Sequence, residues 1–155
     1  MKVGITGHRD LTVQTTALVS AAIDQHLAGY DQLVGVTALA EGADQLFARV
    51  VLTRGGQLDV VVPSAEYRSL REDIAEYDRL LAHAARVTRL PFGEDGPFAH
   101  MAAGLVMIER SELVIAVWDG QPARSFAGTG DFVEYARQVH VPLIVIWPPG
   151  AVRAA

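Results

Sequence analysis

The sequence predicts an α/β fold, a doubly wound and mainly parallel sheet with helices on both faces, as in a Rossmann-like three-layer sandwich. Short runs of Val, Ile and Leu alternate with amphipathic stretches along the chain. These runs are nearly continuous in apolar residues, which is typical of parallel strands buried on both faces. Right-handed crossovers then give an expected strand order of 3-2-1-5-6, with a short fourth strand at the edge beside strand three.

Six strands and five helices account for the pattern. Apolar runs bounded by turn residues predict strands at 2–6, 32–37, 58–62, 86–90, 112–118 and 142–147. Apolar residues at helical spacing predict helices at 12–28, 42–54, 71–84, 98–110 and 131–139. We expect Pro63 to end the third strand. We expect Trp118 to lie in the core, because it continues a buried run.

Length and composition favour one domain over residues 1–148, followed by a tail at 149–155 that we expect to fray. The chain has 155 residues, with 13 Lys and Arg against 18 Asp and Glu, which gives a net charge of −5. Proteins that bind a nucleic-acid backbone usually carry a basic face. This balance therefore leads us to expect no nucleic acid among the partners.

Several other classes of site and location are disfavoured by the same sequence. Cysteine is absent, which excludes disulfides, thiolate catalysis and cysteine-bound metals. The histidines have no metal-ligand spacing, so we expect neither a metal nor a cofactor. No apolar stretch is long enough to span a bilayer, and the first residues do not resemble a signal peptide. We therefore expect a cytoplasmic protein with no membrane partner.

A ligand is expected beyond the carboxyl ends of strands one and five, where the winding direction of the sheet reverses. The loop Gly128-Thr129-Gly130 is a candidate phosphate site, because glycine lets backbone N–H groups approach an anion and a helix start adds partial positive charge. Two alternatives remain open for this loop. It holds a ligand, or Thr129 or Asp131 simply caps the helix.

Gly7, His8 and Arg9 follow strand one at the same switch point. Gly7 lets the chain turn sharply off the strand, and Arg9 would then clamp a phosphate through paired hydrogen bonds. The alternative for Arg9 is a surface ion pair with Asp10 or a neighbouring carboxylate. His8 would donate to the phosphate or ribose, act as an acid or base near neutral pH, or hold the loop.

Three further groups of candidates follow the other strands. Gly42, Ala43 and Asp44 open the second helix, where they either favour tight packing and the helix dipole or meet the sugar of a ligand. Asp119 and Gly120 follow strand five, where a carboxylate accepts hydrogen bonds from ribose hydroxyls or polarises a water. Ser64 follows strand three and has no base evident in the sequence. The ligand-binding candidates are Gly7, His8, Arg9, Gly42, Ala43, Asp44, Ser64, Asp119, Gly120, Gly128, Thr129 and Gly130.

In order and spacing these motifs resemble the SLOG superfamily, Rossmann-like domains that include the LOG phosphoribohydrolases and the core of DNA-processing protein A. The resemblance runs from about residue 2 to residue 148. The motifs are GITGHR at 4–9, GAD at 42–44, VPS at 62–64, RSELVIAVWDG at 110–120 and GTGD at 128–131. The resemblance implies a nucleotide-type ligand with its phosphate at the Gly-Thr loop, and a homodimer that pairs through helices such as 98–108.

Three hypotheses of function follow from these observations. The first is a nucleotide-binding module or sensor that performs no chemistry, because the glutamate that cleaves the N-glycosidic bond in LOG enzymes maps onto Phe132. The second is an N-glycoside hydrolase acting on a nucleoside monophosphate, with Asp131 or Asp119 as catalytic candidates and Glu134 close by. The third is an interaction protein with a vestigial pocket.

Overall fold

All the predicted strands and helices are present in the computed structural model, which describes residues 1–154. The strands are β1 (Lys2–Gly7), β2 (Val34–Thr37), β3 (Gln57–Ser64), β4 (Ala84–Phe92), β5 (Leu113–Val117) and β6 (Leu143–Ile146). The helices are α1 (Val13–Leu27), α2 (Ala43–Thr53), α3 (Ile74–Ala82), α4 (Pro97–Arg110) and α5 (Thr129–Gln138), with a 3₁₀ turn at Arg68–Leu70.

The strands form one six-stranded sheet in the order β4-β3-β2-β1-β5-β6, and every neighbouring pair is parallel. This order confirms the expected fold class and places β4 at the edge beside β3. The chain winds outward from β1 to β4 and then returns to pair β5 with the other side of β1. The switch point therefore lies between β1 and β5.

Alternate side chains of the strands pack into two apolar layers. Val3 and Ile5 of β1 face the layer formed with α1, α2 and α3, where Phe47 and Tyr77 are among the largest buried side chains. Val36 of β2 instead contacts the layer that α4 and α5 cover on the opposite face. This two-sided burial explains why the strands are almost uniformly apolar in sequence.

Local capping sets the start of two of the helices. The Thr12 Oγ1 accepts a hydrogen bond from the backbone N–H of Thr15 at the start of α1. The Asp73 carboxylate accepts one from Glu76 at the start of α3, so this helix begins three residues later than predicted. Both contacts satisfy N–H groups that lack a partner within the helix.

Two expectations about β3 and β4 need correction. Pro63 does not end β3, which continues to Ser64, and the register between β3 and β4 shifts between Val62 and Ser64. Proline lacks an N–H, and such an irregularity accommodates it within a strand. The fourth strand has nine residues rather than the short segment predicted. Its charged and weakly apolar sequence suits an exposed edge.

The tail was expected to fray, but its described residues pack against the start of the chain. Leu11 and Arg153 form an isolated antiparallel bridge, and the N–H of Ala154 donates to the carbonyl of Asp10 at 2.6 Å. The N–H of Val152 donates to Thr15 Oγ1 at 2.8 Å. These contacts bring the tail to the same end of the sheet as the switch point.

None of the helices in the described part of the chain has the length and apolarity that crossing a bilayer requires.

Candidate functional site

A cleft of about 370 Å³ opens at the carboxyl ends of β1 and β5. Its walls come from the loops after β1, β2, β3 and β5, from one side of α4, and from Arg153 in the tail. The structure brings seven of the predicted ligand-binding residues to this cleft, namely Gly7, His8, Arg9, Asp44, Gly128, Thr129 and Gly130. The loops after β1 and β5, far apart in sequence, therefore line one cavity.

The N-terminus of α5 forms part of the cleft wall and has no side-chain cap. The helix begins at Thr129 after Gly128, so neither Thr129 nor Asp131 caps it as the alternative interpretation required. Within residues 1–154 the backbone N–H groups of Thr129 and Gly130 have no hydrogen-bond partner, whereas that of Asp131 donates to Gly128. Two donors at the positive end of a helix dipole thus remain available to an anion.

Arg9 lines the cleft and also pairs with Glu41, a carboxylate that the sequence analysis did not select. Its Nη2 donates to Glu41 Oε2 at 2.6 Å, and the Arg9 side chain remains about half exposed at 49%. Arg71 Nη1 donates to the same oxygen at 2.8 Å, and the N–H of Glu72 donates to Oε1. Burial alone would raise the pKa of Glu41, but these hydrogen bonds and the two guanidinium charges lower it.

Asp44 is buried in the first turn of α2 and holds the loop that follows β2. Its Oδ2 accepts hydrogen bonds from Thr37 Oγ1 at 3.2 Å and from the N–H groups of Ala38 and Ala40 at 3.1 and 3.4 Å. Burial raises the pKa of Asp44 to about 6, despite these stabilising contacts. The side chain therefore holds the loop after β2, a role that the sequence did not predict, and also lies on the cleft wall.

Gly42 and Ala43 do not line the cleft but let two of its loops meet. Gly42 has φ +75°, and a Cβ there would lie 2.5 Å from the carbonyl oxygen of His8. The N–H of Ala43 donates to this same oxygen at 3.2 Å. A Cβ on Gly7 would in turn lie 2.4 Å from the Cβ of Ala43. Small residues at these positions therefore support the loop that carries His8 and Arg9.

His8 and Asp119 join the loops after β1 and β5. The backbone N–H of Asp119 donates to His8 Nε2 at 3.1 Å, and Asp119 Oδ1 lies 3.2 Å from the same nitrogen. Burial and then the charge of Arg153 lower the pKa of His8, although Asp119 acts in the opposite sense. Burial thus favours the neutral ring, and its Nε2 is the atom that meets the loop after β5. His8 serves here as the loop holder that one of its predicted roles described.

The Asp119 carboxylate does not line the cleft and already has partners. Its Oδ1 accepts a hydrogen bond from the N–H of Gln121 at 3.0 Å, and Oδ2 lies 3.9 Å from Arg153. Burial would raise its pKa, but the contacts with Gln121, His8 and Arg153 lower it. Arg153 also binds Asp10 through Nε at 3.0 Å and Nη2 at 2.9 Å. The geometry thus gives Asp119 a structural position.

Three more predicted residues lie outside the cleft. Gly120 and Asp131 line a second depression beside α5, together with Glu134, and this depression adjoins the cleft at Gly130. Ser64 is buried and its Oγ donates to Asp95 Oδ1 at 2.8 Å. Asp95 in turn contacts His100 Nε2 at 2.9 Å. Because the Asp95 carboxylate lies between Ser64 and His100, the histidine is not in position to act as a base on the serine hydroxyl.

Phe132 occupies the position of the cleft wall where the resemblance places a catalytic glutamate. It lines the cleft and is 8% exposed. Its ring packs on Gly104 of α4, where an added Cβ would lie 2.0 Å from a ring carbon. Trp118, expected in the core, lies instead on the cleft wall, and its indole N–H donates to the carbonyl of Gln121 at 2.7 Å.

Sequence reasoning missed several residues of the cleft and its support. Glu41 stands beside the selected Gly42, and its place before a helix was the only signal that marked it. Tyr67 follows β3 in the manner of the other candidates, whereas Arg71 and Arg153 carry no signal in the sequence. Within the described residues, no group of three His, Asp or Glu side chains is close enough to hold a metal ion.

Fold and cleft together define a Rossmann-like domain with an open cavity at its switch point, and solved structures share this fold. The chain is 20% identical to DNA processing protein A from Streptococcus pneumoniae, with a TM-score of 0.73 over 96% of this chain and 51% of that one. For the Helicobacter pylori protein the identity is 17% and the TM-score 0.69, over 99% and 68% of the two chains.

The Moco carrier protein of Chlamydomonas rheinhardtii is also similar, with 14% identity and a TM-score of 0.57 over 93% of this chain and 74% of that one. No protein-family model and no curated protein sequence matches the chain. The chain spans about half the length of the Streptococcus pneumoniae protein. These structures share the Rossmann-like fold that the sequence predicts.

One prediction about partners is wrong. The structure from Helicobacter pylori concerns the binding of single-stranded DNA by that protein, which shares the present fold. The net charge of −5 is a sum over the whole chain, whereas contact with a phosphate backbone depends on the local charges of one face. The exclusion of nucleic acid from the partners is therefore withdrawn.

Proposed function

We propose that the cleft binds a nucleotide or a nucleotide-derived phosphorylated ligand and does not hydrolyse it. One observation carries the proposal: Arg9 and the uncapped N-terminus of α5 line the same cavity at the switch point. A guanidinium and free helix N–H groups are the donors that proteins commonly use to hold phosphate oxygens.

Two acidic residues near the loop after β1, Asp10 and Asp119, are paired with arginine side chains. Asp10 contacts both Arg153, at 2.9 Å, and Arg124, at 3.6 Å. Asp119 faces Arg153 and the N–H of Gln121. The charges of these carboxylates are therefore balanced by arginines other than Arg9. Arg9 is half exposed and binds Glu41 through Nη2, so its other N–H groups are available to a ligand.

Binding without hydrolysis is favoured by the apolar side chain of Phe132 on the cleft wall. Asp131 and Glu134, which would have to replace the glutamate, line the adjoining depression and not the cleft. N-glycoside cleavage needs an acid or base within reach of the scissile bond. The carboxylates that the hydrolase hypothesis named, Asp131 and Asp119, do not line the cleft.

Isothermal titration tests the proposal with nucleoside mono- and diphosphates, ADP-ribose, cyclic dinucleotides and a short single-stranded oligonucleotide. We expect Arg9→Ala to weaken binding of the best ligand about 10- to 100-fold, because it removes a charge-assisted contact of about 1.5–3 kcal/mol. Arg68→Ala is the matched control, since Arg68 is exposed and pairs with Asp78 outside the cleft.

Flat heats with every phosphorylated ligand would refute the proposal. Equal affinities of the wild type and Arg9→Ala would show that Arg9 does not contact the ligand. Chromatography after incubation with nucleoside monophosphates detects any free base. Release that disappears in Asp131→Asn would restore the hydrolase hypothesis.

A further inference from the structure

The cleft contains a second set of polar groups away from the α5 N-terminus, beyond the ends of β2 and β3. Asp44 follows β2 and Tyr67 follows β3, and both residues line the cleft. They are nearly completely buried, with 8% and 2% exposure. Nothing in the phosphate-binding proposal uses either of them.

The Tyr67 hydroxyl has no protein partner within residues 1–154. In that part of the chain the only fully enclosed side-chain polar atom without a partner is the hydroxyl of Tyr77. The Tyr67 hydroxyl is therefore not sealed in the core and opens on the cleft that its residue lines. Burial raises the pKa of this hydroxyl, and Asp44 adds to the rise against the effect of Arg71. The group thus stays protonated.

The Asp44 carboxylate is a hydrogen-bond acceptor and so complements the donor that the Tyr67 hydroxyl offers. All three hydrogen bonds that Asp44 accepts end on Oδ2. The other oxygen, Oδ1, accepts none within the described residues and is not among the enclosed atoms without a partner. A charge-bearing acceptor and a neutral hydroxyl therefore border the same cavity, and they lie near enough for the charge of Asp44 to raise the pKa of Tyr67.

Surrounding contacts hold the Tyr67 ring in position. The guanidinium of Arg71 lies 3.7 Å from the ring centroid, and its Nε donates to the Tyr67 carbonyl at 3.0 Å. Edges of Tyr77 and His100 pack against the same ring, with centroids 5.9 and 5.8 Å away. A group fixed in this way loses little freedom when it binds a ligand.

We propose that Asp44 and Tyr67 form a subsite for the vicinal hydroxyls of a ribose, so that the ligand is a ribonucleotide rather than a 2′-deoxyribonucleotide. A diol both donates and accepts, which matches a carboxylate beside a hydroxyl. Neighbouring strands lie about 4.8 Å apart, which places β2 and β3 about 5 to 10 Å along the sheet from β1. A sugar there is within reach of a 5′-phosphate bound by Arg9.

This subsite rests on the proposed function, and its test is built on matched pairs of ligands. Affinities are measured for the four ribonucleoside 5′-monophosphates and their 2′-deoxy counterparts, and for ribose 5-phosphate and 2-deoxyribose 5-phosphate. The sugar phosphates carry no base, so they report the sugar and the phosphate alone. We expect the wild type to bind the ribo form about tenfold more tightly.

Tyr67→Phe removes one oxygen that makes no protein contact, so the fold is retained. We expect it to lower affinity for the ribo form about tenfold and to leave affinity for the deoxy form within about twofold. Asp44→Asn should reduce the same preference. Tyr77→Phe is the matched control, because its hydroxyl is enclosed in the core and Tyr77 does not line the cleft.

The outcomes separate this inference from the proposed function. Equal affinity of the wild type for ribo and deoxy ligands overturns the diol subsite but leaves phosphate binding intact. A ribo preference that Tyr67→Phe does not change also overturns it. Binding of none of these phosphates overturns the subsite, and the absence of binding with the wider set of phosphorylated ligands overturns the proposed function as well. A preference lost in Tyr67→Phe and kept in Tyr77→Phe supports the subsite.

Discussion

Asp44 shows how a single side chain serves both the fold and the cleft. Three hydrogen bonds stabilise its charged form, yet burial outweighs them and raises its pKa to about 6. The carboxylate is therefore ionised at neutral pH at a cost in stability. Proteins commonly retain such a cost at positions that contact a ligand.

The raised pKa of Asp44 predicts a specific dependence of stability on pH. Between about pH 4 and pH 6 the native state holds a proton that the unfolded chain has released, so the free energy of unfolding falls as the pH rises. The total contribution is about 3 kcal/mol, from a shift of about two pKa units. Asp44→Asn lacks this dependence.

Urea denaturation of the wild type and Asp44→Asn at pH values from about 4 to about 7.5 measures the effect. The wild type should lose about 3 kcal/mol relative to the variant as the pH rises through this window. The other titrating groups are common to both proteins, so the difference isolates Asp44. A difference that stays constant with pH would contradict the assignment.

At the scale of elements, the loop after β1 and the start of α2 meet at a position that tolerates only glycine. Gly42 has φ +75°, and a Cβ there would lie 2.5 Å from a backbone oxygen and 2.7 Å from the Cα of Arg9. Gly55, at the end of α2, has the same φ but nothing within 4 Å of an added Cβ. The two glycines share a positive φ, which would strain an alanine at either position, and they differ in crowding.

Gly42→Ala should lower the free energy of unfolding by at least about 3 kcal/mol, whereas Gly55→Ala should cost about 1 kcal/mol. The difference between the two losses measures the cost of displacing the loop that carries His8 and Arg9. A Cβ on Gly42 would meet backbone atoms of this loop, which cannot rotate away as a flexible side chain can. Thermal or urea denaturation of both variants measures it. Similar losses in the two variants would show that the loops do not meet as described.

At the scale of the molecule, the sequence predicts the fold more fully than the site. The apolar strands, the turns and the rule of right-handed crossovers are sufficient for the strand order, because each depends on local pattern. The predicted switch point also led to Arg9 and Thr129, which line the cleft. The contacts that support the cleft could not be predicted from local sequence, because the partners of Asp119 and Asp10 lie 111 and 143 residues away along the chain.

Among these long-range contacts, Arg153 connects the tail to the rest of the domain. Its pairs with Asp10 and Asp119 accompany the hydrogen bonds of Val152 and Ala154. Arg153→Ala should release this segment. Hydrogen–deuterium exchange should then show faster exchange of the amides of Val152 and Ala154, while the sheet amides are unchanged.

Arg124→Ala provides the control for this prediction. Arg124 also approaches Asp10, at 3.6 Å, but its side chain is 66% exposed. Exposed ion pairs contribute little to stability. The same amides should therefore keep their protection in this variant. Equal exchange in the wild type and Arg153→Ala would show that the bridge and the backbone hydrogen bonds suffice to hold the tail.

The central position of β1 also constrains how the chain acquires its structure. β2 follows β1 closely in the sequence, but the partner of the other edge of β1 is β5, about 110 residues later. Until then a nascent chain presents an unpaired strand edge that bears Val3 and Ile5. Such edges promote association between incomplete chains. Slow translation before β5 would therefore lower the yield of native protein, whereas the finished domain hides this edge.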